Sequence, residues 1–363
     1  MLTRRDFLKN SAILATALSM KLSAKANREF YMPSEEQKHK QTFMAFGASK
    51  QIWGNHLFRE VQRNLATLAN TISDYERVSI LVRESDLRIA KKLLSDSVNI
   101  LVFDIDDLWI RDTGSTFVLD EAGEKYGIDF NFNGWGEKQE YSKDAKVARF
   151  ITKEANAKLI KTNIILEGGS IEVDGEGTAI MTESSILNDN RNPNMSKAKF
   201  ESIIKPLLGL DKIIWLKGVK GKDITDAHVD FYARFAKVGS VIAGYDSDPY
   251  SYDHKITKEN IEVLKSSTDA KGRKLNITTL QAPSISKIRK EFLNNDFAGG
   301  YIGFYVCNDA VIMQNFGDKR ADSEAKEKVA NLFPDRDIID LNVDGISAGG
   351  GSIHCATQQE IWV

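Results

Sequence analysis

The chain has 363 residues, 42% hydrophobic and 28% charged, with 25 glycines, 6 prolines and a formal net charge of −2. That is the balance of an ordinary soluble globular protein with ample length for a large core. It carries no basic stripe on which phosphates could condense, which excludes a nucleic-acid partner. Its two cysteines, Cys307 and Cys355, are too few and too far apart for a cysteine zinc site, so no metal is expected.

Residues 1–26 stand apart. Thr3-Arg4-Arg5-Asp6-Phe7-Leu8-Lys9 is a charged start with paired arginines, Ser11 to Met20 is a short apolar stretch, and Ala24-Lys25-Ala26 is a small-x-small cleavage signal. This layout predicts a signal peptide of the twin-arginine type and export to the periplasm. The apolar stretch is too short for a permanent membrane span. Cleavage after Ala26 removes five cationic side chains against Asp6, leaving a mildly acidic chain, residues 27–363. Such a chain draws in cationic substrates, weakly at cellular salt.

Beyond the leader, helical and extended segments alternate. Leu57, Phe58, Val61, Leu65, Leu68, Ala69 and Ile72 recur at helical spacing over 57–72, and Arg77-Val78-Ser79-Ile80-Leu81-Val82 reads as a buried strand. A helix over 86–95 and a strand over 98–103 follow. The pattern then repeats: helix 143–155 with strand 162–166, helix 196–207 with strand 212–216, helix 255–266 with strand 275–280, and helix 321–332 with strand 336–341. The fold class is α/β. No Pro/Ser-rich linker divides the chain, so a single domain is expected, built from units of roughly 50–70 residues. Periodicity does not separate a propeller of such units from a doubly wound sheet.

Four short segments place polar residues among glycines at strand ends. Asp106-Asp107-Leu108-Trp109-Ile110-Arg111-Asp112-Thr113-Gly114 crowds acids, an arginine and an indole. It reads either as an internal Arg111–Asp ion pair or as a cation site, with Asp112 accepting hydrogen bonds and Trp109 supplying an aromatic wall. In Leu166-Glu167-Gly168-Gly169-Ser170 the glycines let backbone approach a ligand, and Glu167 is a second acid. In Thr225-Asp226-Ala227-His228-Val229-Asp230, an extended chain would put Asp226, His228 and Asp230 on one face. Flanking carboxylates would then favour the charged imidazole.

The fourth segment is Ala348-Gly349-Gly350-Gly351-Ser352-Ile353-His354-Cys355. Its glycine loop, with Gly350 and Gly351, is where backbone N–H groups could converge. Cys355 just beyond would be activated across the fold by His228. His354, in an extended segment, would point away. Cys307 lies in the apolar run Tyr301–Cys307, which reads as a strand with the cysteine in the core.

Taken together these segments resemble the agmatine deiminases, within the wider guanidine-modifying family that includes the bacterial peptidylarginine deiminase. The matching stretches run in order: Trp109–Gly114, Phe130–Gly136, Leu166–Ser170, Asn190–Pro193, His228–Asp230 with Ala233–Phe235, and Gly351–Cys355. The resemblance implies a five-bladed, pseudo-symmetric α/β propeller (the pentein fold) with the active site at its centre. It implies Cys355 as nucleophile, His228 as general acid/base, Asp112 and Asp230 as the carboxylates gripping the guanidinium, and Glu167 as the partner of the histidine. Trp109, Asp226, Gly350 and Gly351 fall to substrate binding, and no metal or organic cofactor is implied. Three departures stand out: Ala227 and Phe231 replace the usual Gly and Asn, Gly303 replaces an Asn, and Met32–Glu36 lacks the usual Trp.

The function these readings imply is hydrolysis of agmatine to N-carbamoylputrescine and ammonia, the chemistry of putrescine biosynthesis, through an S-amidine on Cys355. The alternative is deimination of peptidyl arginine or another small guanidine outside the cytoplasm. An amidinotransferase would share the residue set but pass the amidine to an amine. A binding protein for cationic ligands would bind without releasing ammonia. The expected partner is a small cationic guanidine, with assembly left open between monomer and homo-oligomer.

Overall fold

The computed structural model describes residues 29–363, so the expected leader, residues 1–26, lies outside the described residues. Two strands, β1 (Phe30–Tyr31) and β2 (His39–Ala45), open the described chain. Helix α1 (Lys50–Ser73) leads to β3 (Val78–Val82), and helix α2 (Leu87–Leu93) leads to β4 (Asn99–Val102). β2, β3 and β4 pair in parallel. Helix α1 begins where the Ser49 side chain accepts a hydrogen bond from the Ile52 N–H, an N-cap. Phe58, Val61, Leu65, Leu68, Ala69 and Ile72 then form its buried stripe.

The next unit sets a pattern. β5 (Thr116–Asp120) and β6 (Lys125–Asp129) pair antiparallel, helix α3 (Val147–Glu154) crosses over, and β7 (Lys158–Lys161) pairs parallel to β6. The same order recurs three times. It is seen in β8 (Glu172–Val173), β9 (Thr178–Thr182), α4 (Lys197–Leu208) and β10 (Lys212–Leu216). It is seen again in β11 (Ala233–Lys237), β12 (Ser240–Tyr245), α5 (Asp253–Ser266) and β13 (Asn276–Gln281). The last repeat is β14 (Tyr305–Val306), β15 (Ala310–Gln314), α6 (Lys319–Leu332) and β16 (Asp337–Leu341).

Strand β17 (Gln358–Ile361) returns to pair antiparallel with β2, so the first sheet acquires the same order from two distant parts of the chain. The described residues thus form five sheets in an α/β fold. All five residues of β9 and of β15 are buried, while the parallel outer strand β7 is mostly exposed.

The helices and parallel strands follow the periodic segments of the sequence within a few residues, with one displacement. The strand expected at 162–166 lies at Lys158–Lys161. Ile164 and Leu166 are buried, but they cross the core as irregular chain, with Leu166 N–H on Phe130 O and Ile165 N–H on the Asn192 side chain. Side-chain amides replaced a ladder. Likewise the apolar run Tyr301–Cys307 supplies only the two-residue β14, and Cys307 is buried in the core.

Candidate active site

The four segments singled out in the sequence occupy one structural position in four different units. Each is a short turn immediately ahead of its unit's first antiparallel strand. Ile110–Thr113 precedes β5, Gly168–Ser170 precedes β8, Val229–Phe231 precedes β11, and the turn through Cys355 precedes β17. The turns bond to one another: Arg111 N–H donates to Cys355 O at 3.2 Å, and Gly169 N–H donates to Asp112 Oδ1 at 2.9 Å.

Gly169 explains how three side chains share so little space. A β-carbon built there would stand 2.6 Å from His228 Nδ1, 2.9 Å from Asp112 Oδ1 and 3.0 Å from Asp230 Oδ2. Only a residue without a side chain leaves room for them. Asp230 Oδ2 in turn lies 3.9 Å from Cys355 Sγ. Cys355, His228, Asp112, Asp230 and Glu167 are therefore brought together, all buried.

His228 sits between acids, with Nε2 3.3 Å from Glu167 Oε2 and Nδ1 3.7 Å from Asp112 Oδ1. Burial alone would favour the neutral ring, but Asp112, Glu167 and Asp230 outweigh it and raise its pKa to about 9. Burial raises Asp112, with His228 opposing and Asp230 and Glu167 adding to the rise. Burial is overcome at Glu167 by His228 and Arg191, which hold its carboxyl below the usual range. Asp230 is likewise held low, because His354, His228 and Arg234 outweigh its burial. Burial, then Asp230 and Asp112, push the Cys355 thiol well up. The resting site is thus a charged imidazole, flanking carboxylates and a thiol that resists ionisation.

The rest of the predicted set is placed as follows. Trp109 is buried in a tilted pair with Trp53, ring centroids 5.8 Å apart. A β-carbon at Gly351 would collide with the Trp109 ring and one at Gly349 with the Trp53 ring, so the glycine run lies flat on two indoles. Gly350 has φ +84°. The N–H groups of Gly349 and Gly350 close the short helix Asp344–Ser347 rather than converging on a ligand.

Asp226 stands one layer back. At φ +61° its backbone is left-handed, not extended, which turns the side chain from the face shared by His228 and Asp230. Its carboxylate meets Lys138, Arg191 and the Gly221 N–H. Arg191 then donates to Glu167 at 2.9 Å, so Asp226 reaches His228 only through two intermediates.

Arg111 does not pair with a neighbouring aspartate. It donates to Glu35 at 3.0 Å, to Gln359 at 2.8 Å and to His354 O at 3.3 Å. Nor does His354 point away. Its segment is a turn, and the ring bridges Asp230 Oδ2 at 2.7 Å and Glu35 Oε2 at 2.8 Å. Glu35 also accepts from Arg234 at 2.8 Å and from Val306 N–H at 3.0 Å. Glu35, Arg234 and Trp135, which donates to Asp112 Oδ2 at 2.9 Å, have no role assigned from the sequence, although Trp135 and Arg234 fall within the matching stretches. The available signal was an arginine inside the apolar strand Ala233-Arg234-Phe235-Ala236.

Beside this site an open cleft of about 930 Å³ reaches Gly350 and is lined by Phe231, Asp246, Tyr252, Asp253 and Asp296 among others. Among the described residues no helix is long and apolar enough to cross a membrane.

Residues 31–360 match the family model described as Porphyromonas-type peptidyl-arginine deiminase. The agmatine deiminase of Pseudomonas aeruginosa (strain LESB58) is 34% identical over 353 residues, covering 91% of this chain and 95% of that protein. The solved agmatine deiminase of Enterococcus faecalis superposes with a TM-score of 0.85 at 29% identity, covering 92% of this chain and 96% of that one. A cysteine-to-serine variant of the Campylobacter jejuni agmatine deiminase, solved with substrate bound, gives 0.82 at 25% identity, with the same coverage of both chains. Five repeated sheets, turns that converge on a thiol and an imidazole, and similarity along nearly the whole described chain agree: the chain belongs to the Porphyromonas-type peptidyl-arginine deiminase family.

Proposed function

We propose that this protein is a hydrolase that converts agmatine to N-carbamoylputrescine and ammonia through an amidine carried on Cys355. The observation that carries this reading is Asp230. Its Oδ2 is held by His354 and lies 3.9 Å from the thiol, while Oδ1 of the same carboxylate is buried with no hydrogen-bond partner among the described residues. A buried empty acceptor is costly, and a charged N–H donor from a planar cation would fill it. Asp112 offers a second carboxylate in the same space beside Gly169, so a guanidinium can be held by two acids near the sulfur.

Entry of the cation offsets the carboxylates that hold the thiol protonated, and the proton leaves to solvent. The thiolate attacks the guanidinium carbon, forming a C–S bond and a tetrahedral adduct. His228, charged at rest, gives its proton to the departing nitrogen, and the C–N bond breaks to release ammonia. The now neutral imidazole takes a proton from water as its oxygen attacks. The C–S bond then breaks as the adduct's hydroxyl proton passes through solvent to the released ammonia, leaving a ureido product, ammonium, a thiolate and a charged His228. Glu167, braced by Arg191, keeps the ring oriented throughout. The similarity to agmatine deiminases over most of the chain supports this substrate.

The same reading takes residues 27–363 as one catalytic domain, its five sheets arranged as the blades of a propeller, exported behind a twin-arginine leader at 1–26. The test is ammonia and ureide release from agmatine by the mature chain. Turnover is expected, and Cys355→Ala should abolish it while leaving the fold intact. A Cys355→Ala variant that still releases ammonia would end the mechanism.

A second reading, deimination of peptidyl arginine, is favoured by the cleft beside Gly350, whose acidic and aromatic walls suit a longer cationic chain. Comparing kcat/KM for agmatine, free arginine and a C-terminal-arginine peptide decides between them.

A further inference from the structure

We propose that Ser352 stabilises the reactive thiolate of Cys355, and that Gly303 is the partner position that makes room for it. The proposal rests on Cys355 being the nucleophile. The sulfur has an unfavourable setting, being buried and 3.9 Å from Asp230 Oδ2. His228 has its ring nitrogens turned to Glu167 and Asp112. Ser352 opposes that setting. The Ser352 hydroxyl lies 3.4 Å from Sγ, and its backbone N–H also favours the charged sulfur.

Among the described residues the sulfur is the hydroxyl's hydrogen-bond partner, and Ser352 is itself buried. With a neutral thiol either atom can donate. Once the sulfur is an anion only the hydroxyl can, and a hydrogen bond to a charged acceptor is about twice as strong as a neutral one. The contact therefore strengthens as the proton leaves, which is the requirement for a group that promotes ionisation.

Gly303 fixes the geometry from the other side. A β-carbon there would overlap both Cβ and Oγ of Ser352. The His354 N–H donates to Gly303 O at 3.0 Å, locking the thiol-bearing turn against that position. Gly303 lies in the segment just ahead of β14, the place in its unit that the four active-site turns hold in theirs. The fifth unit thus contributes a vacancy where the others contribute side chains.

The test follows the pH dependence of Cys355 alkylation by iodoacetamide in the full mature chain, with the modified peptide located by mass spectrometry so that Cys307 does not interfere. Ser352→Ala should move the midpoint to higher pH and slow alkylation at pH 8 by about tenfold, equivalent to one pH unit. Ser352→Thr, which keeps the hydroxyl, should restore most of the rate. An unchanged midpoint in Ser352→Ala would overturn the proposal. Should Ser352→Ala not fold, Gly303→Ala serves instead: a raised midpoint supports the proposal and an unchanged one overturns it. Alkylation needs no agmatine, so a protein that titrates as described yet releases no ammonia would count against the proposed function alone.

Discussion

His354 Nδ1 donates to Asp230 Oδ2 at 2.7 Å, while Nε2 of the same ring meets Glu35 at 2.8 Å, so one imidazole ties Asp230 to the buried cluster around Arg111 and Arg234. Removing the ring would leave two buried carboxylates each short of a partner. His354→Ala should cost about 3 kcal/mol of stability in urea denaturation, the result expected when buried carboxylates lose a hydrogen-bond donor. It should also raise KM more than it lowers kcat, because Asp230 loses its aim. A variant of native stability and native KM would mean the bridge is idle.

Asp112→Asn and Asp230→Asn keep volume but remove the charge that faces the cation. Each should lower kcat/KM by an amount on the order of 3–5 kcal/mol in transition-state stabilisation. Steady-state kinetics with agmatine measures this, and normal rates in both variants would place the guanidinium elsewhere.

The pKa of His228 is raised to about 9 from its ordinary 6.5. Below pH 6.5 the ring is charged whether or not the chain is folded, and its pairing with Asp112 and Glu167 contributes in full. As pH climbs through about 9 the folded form loses that charge, and a few kcal/mol of stability goes with it. Urea midpoints should therefore fall between pH 6.5 and 9, and His228→Gln should flatten the decline. Activity should move the other way. With the thiol well above its usual value, kcat/KM should climb by about tenfold per pH unit below about 9. A flat profile across neutral pH would contradict this pairing of protonation states.

Gly169→Ala tests the shared space directly. The new methyl would sit 2.6 Å from His228 Nδ1, and the ring or an acid must move. Displacements near 1 Å cost about 100-fold in rate, so kcat/KM should fall at least that far. Thermal melting should change little if the shift stays inside the site.

The helices were legible because each carries an apolar stripe that the core demands, as α1 does with Val61, Leu65 and Leu68. Strand β8 was not, since two residues are too short to show a period, and β14 keeps only two residues of the run Tyr301–Cys307 that reads as a strand. At the site, Cys355, His228, Asp112, Asp230 and Glu167 stood out because turns that crowd polar groups need glycine or strained backbone beside them. Asp226 and His354 were misjudged for one reason: both were read on extended chain, and both lie in turns. Glu35 was invisible, because its partners Arg111, Arg234 and His354 are scattered along the sequence and only folding assembles them.

β17 follows directly on the turn that carries the thiol, and it pairs with β2 at the far end of the described chain. Folding must therefore join segments almost a full chain length apart, contacts that form late because their loop entropy is met before any reward. A molecule stalled before that pairing can already possess the acids and the imidazole yet stay chemically silent, so catalytic competence reports that the two ends have joined.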